Sequence, residues 1–443
     1  MKQMFTILSA GVALTLALGS PAPNAPKRIA VSIDASKTAP PIPPYMFGQF
    51  IEHIGDLINR SVWAEMLSDR KFYNDITSKP AAQPESRASG RGAGGPGRGG
   101  RAAAQWLPIG PGDAVTMDRQ NPYVGLHTPL IHPAADSPRG ISLAGLALRK
   151  GKVYTGRVVI AAPPGARISV DLVWGEGPNS RQTIPVVAVK ASYTKYPLRF
   201  TAGADTDNGR LEISAMGQGA FHVGAVSLMP AGNIHGFRAD TIALLKAQRS
   251  GMWRFPGGNY LSAFEWRDAI GDPDRRAPRP DPVRGGFQPN DVGTNEFMTL
   301  MGLLGVDPFI SVNAGFGDAF SAAQLVEYEY ANGAATTPMG KLRAANGHPA
   351  PYNIKWWGIG NEMYGSWQFG HMAMSQYVFK HNMFAEAMRK VDPSITLLAT
   401  GATPDEMTIY GLAHPRWASS SRTSSRPAIG TADSSSAAST RSM

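Results

Sequence analysis

The chain has 443 residues, 43% hydrophobic and 17% charged, which is long enough for two or three domains with sizeable cores. Its formal charge of +10 is uneven: Glu85–Arg101 and Arg416–Met443 carry +3 each, and the remaining +4 argues against a nucleic-acid-binding protein. Cysteine is absent, which excludes disulfides, thiolate metal ligands and cysteine nucleophiles.

The N-terminus runs from a basic start through an apolar stretch, Met4–Leu18, to small residues. This order predicts a signal peptide over 1–22, cut after Ala22, and a secreted or periplasmic protein. With no cysteine to lipidate, no membrane attachment is expected after the cut; a retained anchor is the alternative. Residues 23–79 read as a linker with an edge strand at Arg28–Ile33 and a first barrel-type strand in Met46–His53. Val62–Phe72, with apolar side chains at Val62, Met66, Leu67 and Phe72, is a short helix at best. Residues 80–104 form a low-complexity Arg/Gly linker. Gly90, Gly92 and Gly95 spell G-x-G-x-x-G there, but without a strand before or a helix after they make no dinucleotide site.

Over 105–230 the apolar period is two. Ile141–Leu146, Val153–Ala161, Ile168–Trp174, Ile184–Val189, Leu198–Phe200, Leu211–Ile213 and Phe221–Leu228 alternate between turn residues. Six or seven such strands predict a β-sandwich, either carbohydrate-binding or purely structural. Over 231–415 strands alternate with helices, which implies parallel pairing. A helix capped by Asp240 and stopped by Gly251 precedes a strand at Met252–Phe255, and a helix at Phe297–Leu304 precedes one at Phe309–Val312. Ser321–Gln324 has the form of a capping box opening a third helix. A strand at Ile354–Ile359, a helix at Ala373–Val391 and a strand at Ile395–Ala399 follow. Residues 416–443 are mostly small and polar and read as a disordered tail. The fold class expected is α/β: an incomplete (β/α)8 TIM barrel with an inserted β-sandwich.

Three strand ends carry polar clusters: Glu52 with His53, Arg254 to Tyr260, and Asn361 with Glu362. In α/β folds this end of the sheet is where catalytic groups sit. The bland alternatives are that Glu362 caps the next helix and that Glu52 pairs with an arginine. Trp253, Tyr260, Trp266, Trp356, Trp357, Tyr364 and Trp367 lie near in sequence, although Trp356 and Trp357 fit packing better than ligand contact. Carboxylates, amides and rings converging on a cleft suit a sugar. No metal-ligand spacing occurs.

Phe47–Tyr73, Arg254–Gly271 and Trp357–Gly365 resemble the α-L-arabinofuranosidases of glycoside hydrolase family 51, in the plant-type arrangement with a sandwich inserted after the first barrel strand. The resemblance runs from about Ile33 to His414. It implies a retaining hydrolase that uses no cofactor and acts on terminal arabinofuranosyl residues of plant arabinan- or arabinoxylan-type glycans. It also implies Glu362 as general acid/base, Asn361 as the contact to the sugar 2-hydroxyl, and Glu52 and Asn259 as substrate-binding residues. The family's nucleophile is a Glu on a later strand. Only 81 residues follow Glu362, Asp405 and Glu406 do not match that motif, and the nucleophile is therefore expected to be absent from this chain. A truncated or out-of-frame reading after about residue 415 would explain this. The rival readings are a non-catalytic carbohydrate-binding protein and a related endoglucanase or xylosidase. A homo-oligomer is left open.

Overall fold

The computed structural model describes residues 31–402 apart from 33, 35, 37, 54–56, 79–103, 284 and 331–335. The signal peptide, Asp405, Glu406, the tail and all but the last residue of the Arg/Gly linker lie outside the described residues. Of the edge strand expected at Arg28–Ile33 only 31 and 32 are described, and neither is in a strand. The chain divides into a unit up to Ile42 and a unit from Pro43 onward; every element below belongs to the second.

After β1 (Gln49–Glu52) come ten strands, β2 (Trp106–Ile109), β3 (Val115–Asp118), β4 (Thr128–Ile131), β5 (Arg139–Leu148), β6 (Val153–Ala161), β7 (Arg167–Val173), β8 (Arg181–Val186), β9 (Thr194–Thr201), β10 (Thr206–Met216) and β11 (Phe221–Pro230). They form two five-stranded sheets, ordered β2-β5-β10-β7-β8 and β3-β4-β11-β6-β9. In β10, Leu211, Ile213 and Ala215 point inward while Glu212 and Ser214 point out, and the opposing sheet contributes Val158, Ile160, Phe200 and Phe221. Each of the larger of these side chains contributes roughly 1.5–3 kcal/mol by leaving water. The sandwich therefore has more strands than its alternating runs suggested. The short β2, β3 and β4 carry polar or proline residues that hide their period.

From α1 (Ala239–Ala247) the chain alternates: β12 (Met252–Gly257), a small hairpin of β13 (Arg279–Pro280) and β14 (Phe287–Gln288), α2 (Thr294–Leu304), β15 (Asp307–Val312), α3 (Ala319–Tyr330), α4 (Pro338–Ala345), β16 (Trp356–Ile359), α5 (Met374–Val391) and β17 (Thr396–Ala399). Five strands pair in parallel in the order β1-β12-β15-β16-β17. The fold is thus part of a (β/α)8 barrel with a β-sandwich inserted between its first and second strands. Trp357 is fully buried in the barrel core with Phe255, Phe297, Ile310 and Met388. The phenol of Tyr377, on α5, donates to the Ile359 carbonyl (2.8 Å) and accepts from the Thr400 N–H (2.8 Å), so one helix pins the ends of two strands.

Several local expectations are corrected. Val62–Phe72 is not an α-helix. A π-helical turn at Leu57–Val62 gives way to extended chain, because the N–H groups of Ala64 and Met66 bond Gly236 and Leu228. Asp240 lies in the first turn of α1, paired with Arg238, and is not its cap. Ser321 does not open α3: Asp318 accepts the Ser321 N–H, while the Ser321 hydroxyl and the Gln324 amide oxygen are taken by Arg267. Helix α4 was missed, although Thr337 caps it and Pro338 starts it.

The sandwich is fastened to the barrel by buried charges. Arg70 binds both oxygens of Asp291 (2.7 and 2.8 Å) and Asp274 (2.7 Å), and Arg157 on β6 reaches Asp274 (2.6 Å). Lys71 adds a third contact to Asp291 at 2.9 Å, and Glu65 accepts from Ser227 and Leu228 on β11. Burial pushes the Asp291 carboxyl up, but Arg70 and Lys71 outweigh it and hold the group at about 2. Asp274 is likewise held far below the carboxylate range: Arg157 and Arg70 overcome its burial.

An unfolded aspartate titrates near about 3.9, above the folded value of Asp291, so the contribution of this carboxylate is present above that pH and lost as pH falls toward about 2. The unfolding free energy from urea titration should drop on acidification through this window and drop less in Asp291→Asn; equal acid sensitivity of the two proteins contradicts the assignment. Arg70→Met removes the two-pronged partner of Asp291, leaving it to Lys71, and one of the cations on Asp274; it should cost about 3–5 kcal/mol at neutral pH.

Candidate active site

Parallel pairing brings the C-terminal ends of β1, β12 and β16 to one side of the barrel sheet. Between Phe50 and Glu52 the β1–β12 register slips by one residue, so that Glu52 faces Gly257. Such irregularities re-aim side chains. The Glu52 carboxylate accepts the Asn259 N–H at 3.0 Å. Gly258 turns the chain there with φ +64° and ψ −156°, a region that only glycine enters easily, and a Cβ on it would lie 2.0 Å from the Glu52 carboxyl carbon.

Asn361, at the end of β16, is buried and donates both amide hydrogens, to Asn259 Oδ1 and to Gln368 Oε1, each at 3.1 Å. The Gln368 amide donates in turn to the Asn259 carbonyl (3.3 Å) and the Ser262 hydroxyl. Glu52, Asn259 and Asn361 are therefore joined in one hydrogen-bonded chain, with Gln368 as its buried clamp. With both N–H groups engaged, Asn361 has its carbonyl oxygen to offer a ligand.

Glu362 follows with φ +43°, a left-handed conformation that costs a non-glycine residue about 1–2 kcal/mol. Three bonds hold it: Gly365 N–H to the Glu362 carbonyl (2.8 Å), Met372 N–H to the Met363 carbonyl (2.9 Å), and the Trp367 indole to Glu362 Oε2 (2.7 Å). Glu362 does not cap the next helix, since α5 begins at Met374.

Arg254, on β12, lies 4.8 Å over the Phe50 ring. Burial lowers its guanidinium pKa, while the negative charges of Glu362 and Glu52 act to raise it. His53 is buried among Tyr260, Phe255 and Phe264, with ring centroids at 4.6, 5.5 and 6.3 Å. Burial depresses it to about 3, against a hydrogen bond to the Val292 backbone, which leaves a neutral packing residue unsuited to proton transfer near neutrality.

The aromatic cleft is smaller than the sequence suggested. Trp253, Tyr260, Trp266 and Trp357 are buried in the core, and Trp356 packs against Tyr45 (5.2 Å) at the start of β16. Tyr364 and Trp367 remain beside Glu362, edge to face at 6.0 Å. Gln368 and Ser262 were missed, because a buried amide between strand ends leaves no pattern in the sequence; Arg254 stood in a noted cluster but had no role. Among the described residues no group of three or more His, Asp or Glu side chains could hold a metal ion, and no helix is long and apolar enough to cross a membrane.

Residues 244–428 match the family model described as the alpha-L-arabinofuranosidase 1 domain. A probable alpha-L-arabinofuranosidase C of Aspergillus fumigatus is 38% identical over 172 residues, 39% of this chain and 34% of that protein. Its counterpart in Aspergillus clavatus is 35% identical over 224 residues, 50% of this chain and 42% of that one. The arabinose-bound structure of the MgGH51 α-L-arabinofuranosidase superposes with a TM-score of 0.65 at 18% identity, over 82% of this chain and 59% of that chain. The chain thus spans well under half the length of these curated relatives. The likeness to α-L-arabinofuranosidases is one of sequence in the barrel part and, with a family-51 enzyme, one of fold.

Gly258→Ala adds a methyl group where Glu52 sits and where the backbone excludes it. It should lower the unfolding free energy by about 1–3 kcal/mol in urea titration, and an unchanged midpoint would mean that Glu52 does not press on this turn.

Proposed function

We propose that this chain carries the sugar-binding and proton-donating part of a retaining α-L-arabinofuranosidase site, acting on terminal arabinofuranosyl residues of plant glycans. The observation that carries this reading is Glu362. It is a half-buried carboxyl at the end of a barrel strand, held in a strained backbone conformation, beside Asn361 and within range of the Arg254 charge. Strain of this kind persists where the surroundings over-determine it, and it clusters at functional sites.

In this reading Glu362 gives a proton to the departing glycosidic oxygen, then as a carboxylate takes one from the water that releases the sugar. Asn361 accepts a hydrogen bond from a ring hydroxyl through its carbonyl oxygen. Glu52, fixed by the Asn259 N–H, accepts from a second hydroxyl, and Tyr364 and Trp367 offer apolar faces to the ring. Retention requires a second carboxyl about 5–5.5 Å from the acid to attack the anomeric carbon. No residue of this sequence is assigned that role, and what is proposed for the chain is binding of the sugar and delivery of the proton. The order of basic, apolar and small residues over 1–22 supports action outside the cytoplasm.

Two measurements test this. Methyl α-L-arabinofuranoside added to the present chain should shift NMR signals of the strand-end residues, about tenfold more weakly bound in Asn259→Ala; no binding by the parent protein refutes the sugar site. In a form of the protein that hydrolyses 4-nitrophenyl α-L-arabinofuranoside, Glu362→Ala should lose about 10²–10⁴ in rate, with partial recovery in azide. Undiminished hydrolysis would remove Glu362 from the mechanism.

A further inference from the structure

We propose that Trp367 determines which oxygen of Glu362 carries the proton, reserving Oε2 as a permanent acceptor and assigning the acidic hydrogen to Oε1. The proposal rests on the reading of Glu362 as an acid, but its physical content is separable from it.

An indole N–H can donate but never accept. Trp367 Nε1 lies 2.7 Å from Glu362 Oε2, the length of a bond strengthened by charge. Whether the carboxyl is ionised or neutral, the oxygen facing that donor must present a lone pair. In the neutral acid the carbonyl oxygen is a far better acceptor than the hydroxyl oxygen, so the indole selects the form in which the hydrogen sits on the other oxygen. Without such a donor the two oxygens would be equivalent by rotation about the last side-chain bond, and half of the protonated molecules would aim the hydrogen away from the leaving group.

The local sequence is arranged for this contact. Glu362 turns back at φ +43°, Gly365 closes the turn on the Glu362 carbonyl, and a Cβ on Gly365 would lie 2.4 Å from the Trp367 ring. A glycine there is what lets the indole fold back over five residues. Tyr364 meets the ring edge-on and limits its swing. Arg254, on β12, acts on this carboxyl through its charge, while the donor to Oε2 is the Trp367 indole. Trp367 is accordingly a positioning residue, acting through Glu362.

The test uses the full chain labelled with ¹⁵N-tryptophan, its Trp367 indole signal identified as the one lost in Trp367→Phe or, should that variant not fold, as the one altered most by Glu362→Gln. In the parent protein this signal should move with pH as the carboxyl gains its hydrogen. In Glu362→Gln, whose amide copies the neutral acid, the signal should persist, ignore pH and show no close proton–proton contact to the new amide hydrogens, because the carbonyl oxygen faces the indole. A pH-insensitive signal in the parent protein, or one that moves equally in Glu362→Gln, overturns the proposal. So does a strong contact between the indole hydrogen and the substituted amide hydrogens. These outcomes do not depend on hydrolysis. If Glu362→Ala left activity intact, the acid reading would fail while the oxygen assignment stood, and the reverse result would fail the assignment alone.

Discussion

Three strand ends meet at Asn259. Its N–H is bound by Glu52 from β1, its side-chain oxygen by Asn361 from β16, and its carbonyl by Gln368. Parallel pairing sets strands about 4.8 Å apart but does not decide where their last side chains point. Each polar group brought to the end of a buried strand must also find a partner or lose its hydration uncompensated. Asn259 answers both demands, since it satisfies three neighbours and in doing so fixes their directions. The site is rigid because its residues solve one another's desolvation.

The charged seam between sandwich and barrel works on a different principle. Arg70 and Lys71 face Asp274 and Asp291 out of reach of water, with Arg157 joining from the partly exposed rim, so each buried charge depends on its partners. What it provides is a fixed anchorage. Arg70 lies on the chain leaving β1, while the aspartates lie on the connection between β12 and α2. The seam thus braces the two strands that deliver Glu52 and Asn259.

Much of this was legible beforehand. Short apolar runs gave β1, β12, β15, β16 and β17, and a helical period gave α5, because burial on a sheet or a helix face leaves its mark in the sequence. The ends of those strands followed, and with them Glu52, Asn259, Asn361 and Glu362. Partners chosen across the fold were not legible. Ser321 and Gln324 have the look of a cap, yet Arg267 claims both from more than fifty residues away. Trp357 packs as expected, but Trp253, Tyr260 and Trp266 also went to the core, since spacing along a chain does not tell which side of an element looks inward. Gln368 could not be anticipated, because its role exists only once three segments are in place.

The single-residue slip between β1 and β12 has a bearing on how such a sequence can vary over time. Beyond the slip, each residue of β1 is matched to a partner one position further along β12 than before it. Loss of one codon between Arg254 and Gly257 would even the ladder with Glu52 still opposite Gly257, but would remove the bulge that bends β12 and re-aims the side chains beside it. Gain of one would enlarge the bulge and bend the strand further. Lineages descended from this chain are thus confined to a fixed count in that stretch, a constraint on gene length imposed by a carboxylate that must arrive beside one particular amide.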